Sequence, residues 1–345
     1  RQNIVYTVLC PNILTHQELR FFSTLLLLCF IKIRSLIILY KSIFQLNMKI
    51  YDCFMFFDEE MLLDLRLNVL GEYVDKFVIT EANYMHNGKP KKLNFDINKY
   101  SKFKDKIIYI VVDSPPPDLF EIHERDNDKS DTRGQKLVLN GYKRDNYQRQ
   151  KAWDVLKNIE QDDWIIINDI DEIPDLKNVN FTEVKNKIVI FKQQIFYYKF
   201  NLLYPNVYWH GSKCCKKINF LSPQWLRNIK HKKYPLWRFD IMFSKRKYNN
   251  IFYISNGGWH FTNIKSPADI EKKLSNYTHH YEFEQSGLSI ADLRKKIQEK
   301  KIIYDHSVDQ REFKWDSSKT LKKIELSSLP TYLKENAEKY ANWLE

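Results

Sequence analysis

Two acidic residues, Asp169 and Asp171, come just after a short apolar run, Trp164–Ile167, that is typical of a buried β-strand. Side chains two residues apart on an extended chain point the same way, so we expect both carboxylates on one face. In open α/β sheets, ligands bind beyond the carboxyl ends of the strands, where this pair would lie. The spacing therefore predicts a site for Mg²⁺ or Mn²⁺, which prefer oxygen ligands. An acidic turn is the alternative, but the continuation as Asp-Glu-Ile-Pro favours the metal site.

The composition limits the classes of protein to which the chain can belong. The 345 residues include 55 Lys or Arg against 43 Asp or Glu, a formal net charge of +12, which favours an anionic partner such as a nucleic acid, a membrane surface or a phosphorylated small molecule. Hydrophobic residues at 43% and charged residues at 28% are typical of a globular protein. The chain holds only 8 Gly and no glycine-rich phosphate motif, which argues against Rossmann dehydrogenases and P-loop NTPases. Its 5 Cys follow neither a zinc nor a disulfide pattern.

The elements that must position the acidic pair alternate between apolar strands and helices, which predicts an α/β fold with a mainly parallel sheet. Asp58 stands where a helix N-cap is expected, just before two glutamates. The pattern predicts strands at Ile50–Phe57, Phe77–Thr80, Ile107–Val112 and Trp164–Ile167, helices at Glu59–Glu72 and Asp145–Ile159, a surface loop at Glu121–Gly141, β-structure from Phe181 to Phe261, and helices from Lys265 to Lys301.

The first 47 residues differ from the rest of the chain. Residues 21–44 are largely apolar but contain Lys32 and Arg34, whose charges oppose insertion into a bilayer. A poor signal anchor, an interfacial helix and translated sequence upstream of a start at Met48 are all compatible with this pattern. The strand pattern that begins directly after Met48 favours the third interpretation. An anchor predicts membrane association, and a start at Met48 predicts a cytoplasmic protein. We therefore predict three parts: an apolar segment at 1–47, a catalytic domain at 48–320 and a helical tail at 321–345.

Four blocks of sequence resemble glycosyltransferase family 17 between residues 49 and about 315. The blocks are Ile50 to Glu59 with Leu65-Arg66-Leu67, Val74 to Glu81 with Gly88-Lys89-Pro90-Lys91, Gln148-Arg149-Gln150 with Asp169 to Pro174, and Gly257 to Phe261 with Lys273-Leu274 and His279. The resemblance implies a GT-A-like nucleotide-diphospho-sugar transferase fold, with a mainly parallel central sheet flanked by helices. It further implies an inverting, metal-dependent transfer of N-acetylglucosamine from UDP-GlcNAc to a mannose-containing glycan or glycoprotein in β-1,4 linkage.

Such a reaction needs positive charge around the diphosphate leaving group, because negative charge builds up on it. A metal held by carboxylates would neutralise that negative charge. Asp169 and Asp171 are the predicted metal ligands. His260 is a third, because the glycines before it allow a tight turn toward the same crevice; a buried core histidine is the alternative. Four further residues are predicted to bind the donor, with Arg149 on the diphosphate and Glu81 on the uridine. The four donor-binding residues are Asp52, Glu81, Lys89 and Arg149.

Inversion also requires a base that takes the proton of the acceptor hydroxyl. The candidates are Glu282, Asp240 and Asp305, and Glu282 leads because it follows the block that contains His260. Two other classes of protein stay open at this point. A basic module that binds single-stranded nucleic acid would suit the charge and the aromatic content, and a metal-dependent phosphohydrolase would also use paired carboxylates. We expect a UDP-sugar and a glycan, and no nucleic acid, as partners.

Overall fold

The structure is a computed structural model. It describes Lys32 and residues 48–345 except 124–125, 127–131, 233, 236, 242, 278–279, 306–314 and 316–318. The chain divides into two compact units, Arg1–Met48 and Lys49–Glu345, and the account below concerns the second. The predicted apolar segment at 21–44 lies outside the described residues, apart from Lys32. Within the described part of the chain, no helix combines the length and apolarity that crossing a bilayer requires.

The described residues form a mixed α/β fold. The strands are β1 (Ile50–Met55), β2 (Lys76–Ala82), β3 (Ile107–Val112), β4 (Trp164–Ile167), β5 (Glu172–Pro174), β6 (Ile188–Phe191), β7 (Gln193–Tyr197), β8 (Leu202–Trp209), β9 (Lys213–Lys216), β10 (Ile251–Ile254), β11 (Gly258–Thr262) and β12 (Lys322–Lys323). The α-helices are α1 (Glu60–Leu70), α2 (Thr132–Gln150), α3 (Trp153–Leu156), α4 (Pro223–Arg227), α5 (Pro267–Leu274), α6 (His280–Ser286), α7 (Ile290–Gln298) and α8 (Thr331–Glu335). Short 3₁₀-helices lie at Ile97–Lys106, Lys217–Asn219, Phe239–Ile241, Leu326–Ser328 and Ala337–Trp343.

The larger sheet has seven strands in the order β10-β6-β9-β4-β1-β2-β3. Strand β1 pairs in parallel with β2 and β4, and β2 pairs in parallel with β3. Strand β9 is antiparallel to both of its neighbours. All four residues of β4 are buried, as expected for a central strand that is covered on both faces. The prediction of an α/β fold with a mainly parallel sheet is confirmed.

The smaller sheet has the order β12-β8-β7-β11-β5 and is mostly antiparallel. Strand β4 of the larger sheet is followed after four residues by β5 of the smaller sheet, so residues 168–171 connect the two sheets. This connection is the predicted acidic segment. A second apolar core, formed by the smaller sheet and α5 to α7, includes Ile195, Tyr204, Ile270, Phe283 and Leu293.

Local predictions are wrong in three places: the surface loop, the helix cap at Asp58, and the β-structure from Phe181 to Phe261, which contains helix α4 (Pro223–Arg227). The predicted surface loop becomes helix α2 from Thr132 onward, because this helix buries small and polar residues instead of an apolar stripe. Asn140, for example, is buried and exchanges two hydrogen bonds of 2.8 Å with the backbone of Phe120. Asp58 is not a helix cap, since Glu59 occupies that position and Asp58 forms an ion pair with Lys265 instead.

Residues 321–345, the predicted helical tail, belong to the same compact unit as the rest of the described domain. Strand β12 pairs with β8 at the edge of the smaller sheet. The hydroxyl of Tyr340 donates a hydrogen bond of 2.8 Å to Asp64 on α1, and the tyrosine is almost completely buried. The segment combines one short strand, one short α-helix and two 3₁₀-helices, so it is only partly helical.

Candidate active site

A buried arginine on α1 fixes the backbone of the acidic connection. Arg66 forms a two-pronged ion pair with Asp52 on β1, with N–O distances of 2.6 and 2.7 Å, and both side chains are fully buried. The same guanidinium donates to the side chain of Asn168 at 2.6 Å and to the carbonyl of Glu172 at 2.8 Å. It also donates to the carbonyls of residues 169 and 170, each at 3.2 Å. One cation therefore holds most of the turn between β4 and β5.

Strand β11 carries His260 to this turn. It pairs with β5 so that His260 lies opposite Glu172, and the amide of Phe261 donates a hydrogen bond of 2.8 Å to the carbonyl of Asp171. The strand begins at Gly258, whose φ of +116° is a conformation that L side chains rarely adopt. A Cβ atom there would lie only 2.2 Å from the carbonyl oxygen of Ile173. Glycine is thus required for the approach of β11 to the acidic turn.

This pairing brings a carboxylate, an imidazole and an ammonium together. His260 Nε2 lies 3.7 Å from Asp171 Oδ1, and Lys273 Nζ on α5 lies 3.6 Å from Asp171 Oδ2. Although burial opposes ionisation, Lys273 and His260 hold the pKa of the Asp171 carboxyl well below its usual value. The indole of Trp209 stacks on the His260 ring, with the ring centres 4.9 Å apart. Asp171 is thus a carboxylate at neutral pH whose position is closely defined.

Asp169 has a different environment. Its Oδ1 accepts a hydrogen bond of 3.1 Å from Arg149, and its Oδ2 accepts one of 2.6 Å from Arg227. Burial raises the pKa of the Asp169 carboxyl, and the two guanidinium groups act against that rise. Arg227 also donates to both carboxylate oxygens of Glu172, at 2.6 and 2.8 Å. Arg149 in turn pairs with Asp145 at 2.8 Å. Two arginines and three carboxylates therefore form one charged network.

The charged network and the cluster of Asp171, His260 and Lys273 lie on the wall of one cleft with a volume of about 660 Å³. Residues from both sheets and from α2, α4 and α5 line it. The polar and charged lining includes Glu59, His86, Lys91, Asp145, Arg149, Asp169, Asp171, Glu172, Arg227, His260 and Lys273, and the aromatic lining includes Tyr84, Tyr142, Tyr197, Trp209, Tyr277 and Tyr304. A cleft of this size, with convergent charges and aromatic walls, suits a polar small molecule.

The structure brings four of the predicted site residues into this cleft, namely Arg149, Asp169, Asp171 and His260. The three other predicted donor-binding residues are not among its lining residues. Asp52 is paired with Arg66 in the interior, and Lys89 lies exposed on a turn. Glu81 is fully buried, where its carboxylate accepts hydrogen bonds from Lys91, Tyr109 and two backbone amides. Their roles in donor binding stay predictions.

The three candidate bases lie in different places, none of them on the cleft wall. Glu282 lies on α6 close enough for its charge to raise the pKa of Tyr142 and Tyr277, behind the larger effect of burial. Asp240 is half-exposed and forms ion pairs of 2.6 and 2.8 Å with neighbouring cations. Asp305 is buried and interacts with Tyr204 at 2.9 Å.

Sequence reasoning did not single out Arg227, Asp145 or His86 as site residues. Arg227 lies at the end of a five-residue helix, and no motif in the sequence marks it. The sequence pattern predicts Asp145 at the start of a helix, whereas it lies well inside α2 and lines the cleft. His86 follows β2, and burial lowers the pKa of its imidazole, although Asp145 acts in the opposite direction.

Among the described residues, Asp171 and His260 are placed so that both side chains could hold one divalent cation. Metal bonds of roughly 2.0–2.2 Å to each side chain are compatible with the 3.7 Å between their atoms. Asp169 is engaged by Arg149 and Arg227, so its role as a ligand stays a prediction. Among the described residues, no group of three His, Cys, Asp or Glu side chains is arranged to hold one ion. Asp171 and His260 by themselves would leave coordination positions for further ligands, such as the oxygens of a bound phosphate.

Comparison with known proteins shows the family of the chain. The profile of glycosyltransferase family 17 matches residues 39–345. The chain is 30% identical over 131 residues to the beta-1,4-mannosyl-glycoprotein 4-beta-N-acetylglucosaminyltransferases of Homo sapiens and Rattus norvegicus. Each alignment covers 36% of this chain and 21% of the relative, so the chain spans about a fifth of the length of the curated relatives it matches. The chain belongs to glycosyltransferase family 17.

Proposed function

We propose that this protein is a metal-dependent, inverting glycosyltransferase of the GT-A type. In this proposal it transfers N-acetylglucosamine from UDP-GlcNAc to a mannose-containing glycan in β-1,4 linkage. Family membership supports the transferase class. The names of the aligned relatives support this donor sugar, acceptor and linkage. The observation that carries the proposal is the approach of His260 Nε2 to 3.7 Å from Asp171 Oδ1 at the edge of a 660 Å³ cleft.

Mn²⁺ or Mg²⁺, when bound, would neutralise charge on the departing diphosphate. Asp171 and His260 would hold it. The low pKa of the Asp171 carboxyl keeps this ligand ionised without the metal. Lys273 lies on the other side of the same carboxylate and limits its movement. A predefined ligand geometry suits catalysis, because the charges need not rearrange as the glycosidic bond breaks.

Arg149 and Arg227 support a binding site for the diphosphate. Both guanidinium groups line the cleft and are mostly buried, where a phosphate would be weakly screened by water. A guanidinium binds two phosphate oxygens at once, so either arginine can orient the donor. In the described structure both are shared with Asp169, and donor phosphate would compete with that carboxylate for them.

The base in this proposal is Glu282. Glu282 is not itself a lining residue, but its charge acts on Tyr142 and Tyr277, which line the cleft, and this proximity supports the proposal. The base must remove the proton of the acceptor hydroxyl as the oxygen attacks the anomeric carbon. The aromatic side chains of the cleft offer faces for a sugar ring.

A donor screen tests the proposal. The full chain is incubated with each of a panel of sugar nucleotides in the presence of Mn²⁺, Mg²⁺ or a chelator, with a mannose-containing N-glycan as acceptor. We expect the largest product signal with UDP-GlcNAc, and its loss with the chelator. Equal transfer with and without the chelator would contradict the metal, and transfer from another sugar nucleotide alone would contradict the donor.

A further inference from the structure

The described residues between Lys230 and Lys247 form a surface loop, which carries the most exposed aromatic side chains in the described part of the chain. Trp237, Phe239 and Phe243 are 71%, 72% and 87% exposed. The base of the loop is closed by a hydrogen bond of 3.0 Å from the amide of Lys230 to the carbonyl of Arg246. Single exposed apolar side chains are common on soluble proteins, but three large rings on one short loop indicate an interaction surface.

The loop is also strongly basic. Its sequence contains seven Lys or Arg residues and one acid, Asp240. Arg238 binds both oxygens of that carboxylate at 2.6 and 2.8 Å, and Lys247 binds it at 2.8 Å. The two cations therefore neutralise the acid within the loop. Asp240, one of the predicted bases, is thus engaged in ion pairs within the loop. The remaining cations give the loop a positive charge beside its exposed rings.

We propose that this loop docks on an anionic lipid bilayer, with its three rings at the interface and its cations against the lipid phosphates. Tryptophan and phenylalanine partition into the interfacial region, and basic residues beside them are attracted to anionic lipids. None of the described residues of the loop lines the cleft, and its three rings are exposed to solvent. Single-stranded nucleic acid is instead bound along a groove with rings as stacking platforms, which makes the bilayer the better partner.

The position of the loop indicates where a bound bilayer would lie relative to the cleft. Helix α4, which carries Gln224 and Arg227 on the cleft wall, lies immediately before the loop in the chain. The indole Nε1 of Trp225 on the same helix donates a hydrogen bond of 2.6 Å to the carbonyl of Lys245 at the end of the loop. A bilayer held by the loop would therefore lie beside α4 and close to the cleft.

The test combines flotation with tryptophan quenching. The full chain is mixed with vesicles of phosphatidylcholine, or of phosphatidylcholine and phosphatidylglycerol in equal amounts. The loop variant carries Trp237→Ala, Phe239→Ala and Phe243→Ala. The matched control carries Leu93→Ala, Ile122→Ala and Phe252→Ala, three exposed apolar residues outside the loop. We expect binding to the anionic vesicles to fall about tenfold or more in the loop variant and to stay unchanged in the control.

Quenching of tryptophan fluorescence by brominated phosphatidylglycerol gives a second readout. Residues 1–47 contain no tryptophan, because all 8 Trp residues lie at or beyond Trp153, so this segment cannot produce the signal. Bound brominated lipid should quench part of the fluorescence of the wild type, and Trp237→Phe should remove that part while preserving an apolar ring. Equal quenching in the two proteins, or equal flotation of the loop variant and the wild type, would overturn the proposal. Loop-dependent binding of polyuridylate without binding to the vesicles would also overturn it, in favour of nucleic acid.

Discussion

The imidazole of His260 lies 3.7 Å from the carboxylate of Asp171 because two strands from distant parts of the chain pair in one register. Strand β5 continues directly from the acidic turn, and β11 pairs with it so that His260 stands opposite Glu172. The backbone bond from Phe261 to Asp171 prevents a shift of that register. The distance between the two predicted ligands is thus set by the backbone pairing of the smaller sheet.

Replacement of Asp171 tests its role as a metal ligand. Asp171→Asn keeps the size of the side chain and removes its charge, so we expect transfer to fall by at least about a hundredfold. Even partners that only orient a metal ligand are worth about 10–100-fold. Transfer and thermal unfolding are measured together, with Asp113→Asn at the exposed end of β3 as the matched control. Full activity in Asp171→Asn would remove this residue from the metal site.

His260→Ala separates a metal ligand from a core histidine. A ligand role predicts that the Mn²⁺ concentration for half-maximal transfer rises about tenfold or more. The loss of stability should be moderate, since the ring stacks on Trp209. Mn²⁺ titration and the melting temperature are compared with those of His123→Ala, an exposed histidine. A lower melting temperature with an unchanged Mn²⁺ requirement would identify a purely structural residue.

Arg227 should couple strongly to Glu172 in a double-mutant cycle. Arg227→Gln leaves a buried carboxylate without its cation, and we expect a loss of about 3–5 kcal/mol in the free energy of unfolding. Arg227→Gln with Glu172→Gln should recover part of that loss, because no unpaired charge is left. Urea unfolding measures all four proteins. The exposed pair Lys216–Asp162 is the control cycle and should couple by only about 0–1 kcal/mol. Additive losses at Arg227 and Glu172 would contradict the described ion pair.

Lys213 should make stability depend on pH. Burial lowers the pKa of its ammonium to about 7. The ammonium donates a hydrogen bond of 2.7 Å to the carbonyl of Ile229, just after α4. An unfolded lysine titrates near 10.4, so between pH 7 and 9 the unfolded chain binds more protons than the folded chain. The free energy of unfolding should therefore rise with pH across this window. Lys213→Met should remove that rise, whereas Lys216→Met on the same strand should retain it; identical pH profiles for both variants would contradict the prediction.

Glu282→Gln tests the proposed base. The charge of the residue is lost but its size is kept, so we expect kcat to fall by about a hundredfold or more with little change in the KM for the donor. Glu284→Gln on the same helix is exposed and serves as the control. Steady-state kinetics with the N-glycan acceptor distinguish the two. Equal kcat values for the two variants would exclude Glu282 as the base.

The sequence predicts the larger sheet well because its central strands are continuous apolar runs. Strands β3 and β4 have the predicted bounds, and the acidic turn follows β4 as expected. Helix α2 was partly missed because its buried side includes Asn140 and Gly141, which do not form an apolar stripe.

The charged network around Asp169 could not be predicted from the sequence for a different reason. Its members come from α2, α4 and the turn before β5, and no local pattern links Arg227 to Asp169. Only the tertiary structure brings them together. Spacing along the chain predicts that residues of one local segment, such as Asp169 and Asp171, lie close together. It does not predict which residues of other helices and strands they contact.

Arg66 has a consequence for how the chain acquires its site during synthesis. Its partner Asp52 is 14 residues away, but its other acceptors lie 102 to 106 residues further along the chain. A guanidinium buried before those acceptors exist would lack most of its hydrogen bonds, so it is better solvated by water until then. Helix α1 and β1 are therefore expected to close over Arg66 only after Glu172 has left the ribosome. The docking of α1 and the folding of the acidic turn would then be one cooperative event. The turn would not form in a nascent chain before the strands around it have paired.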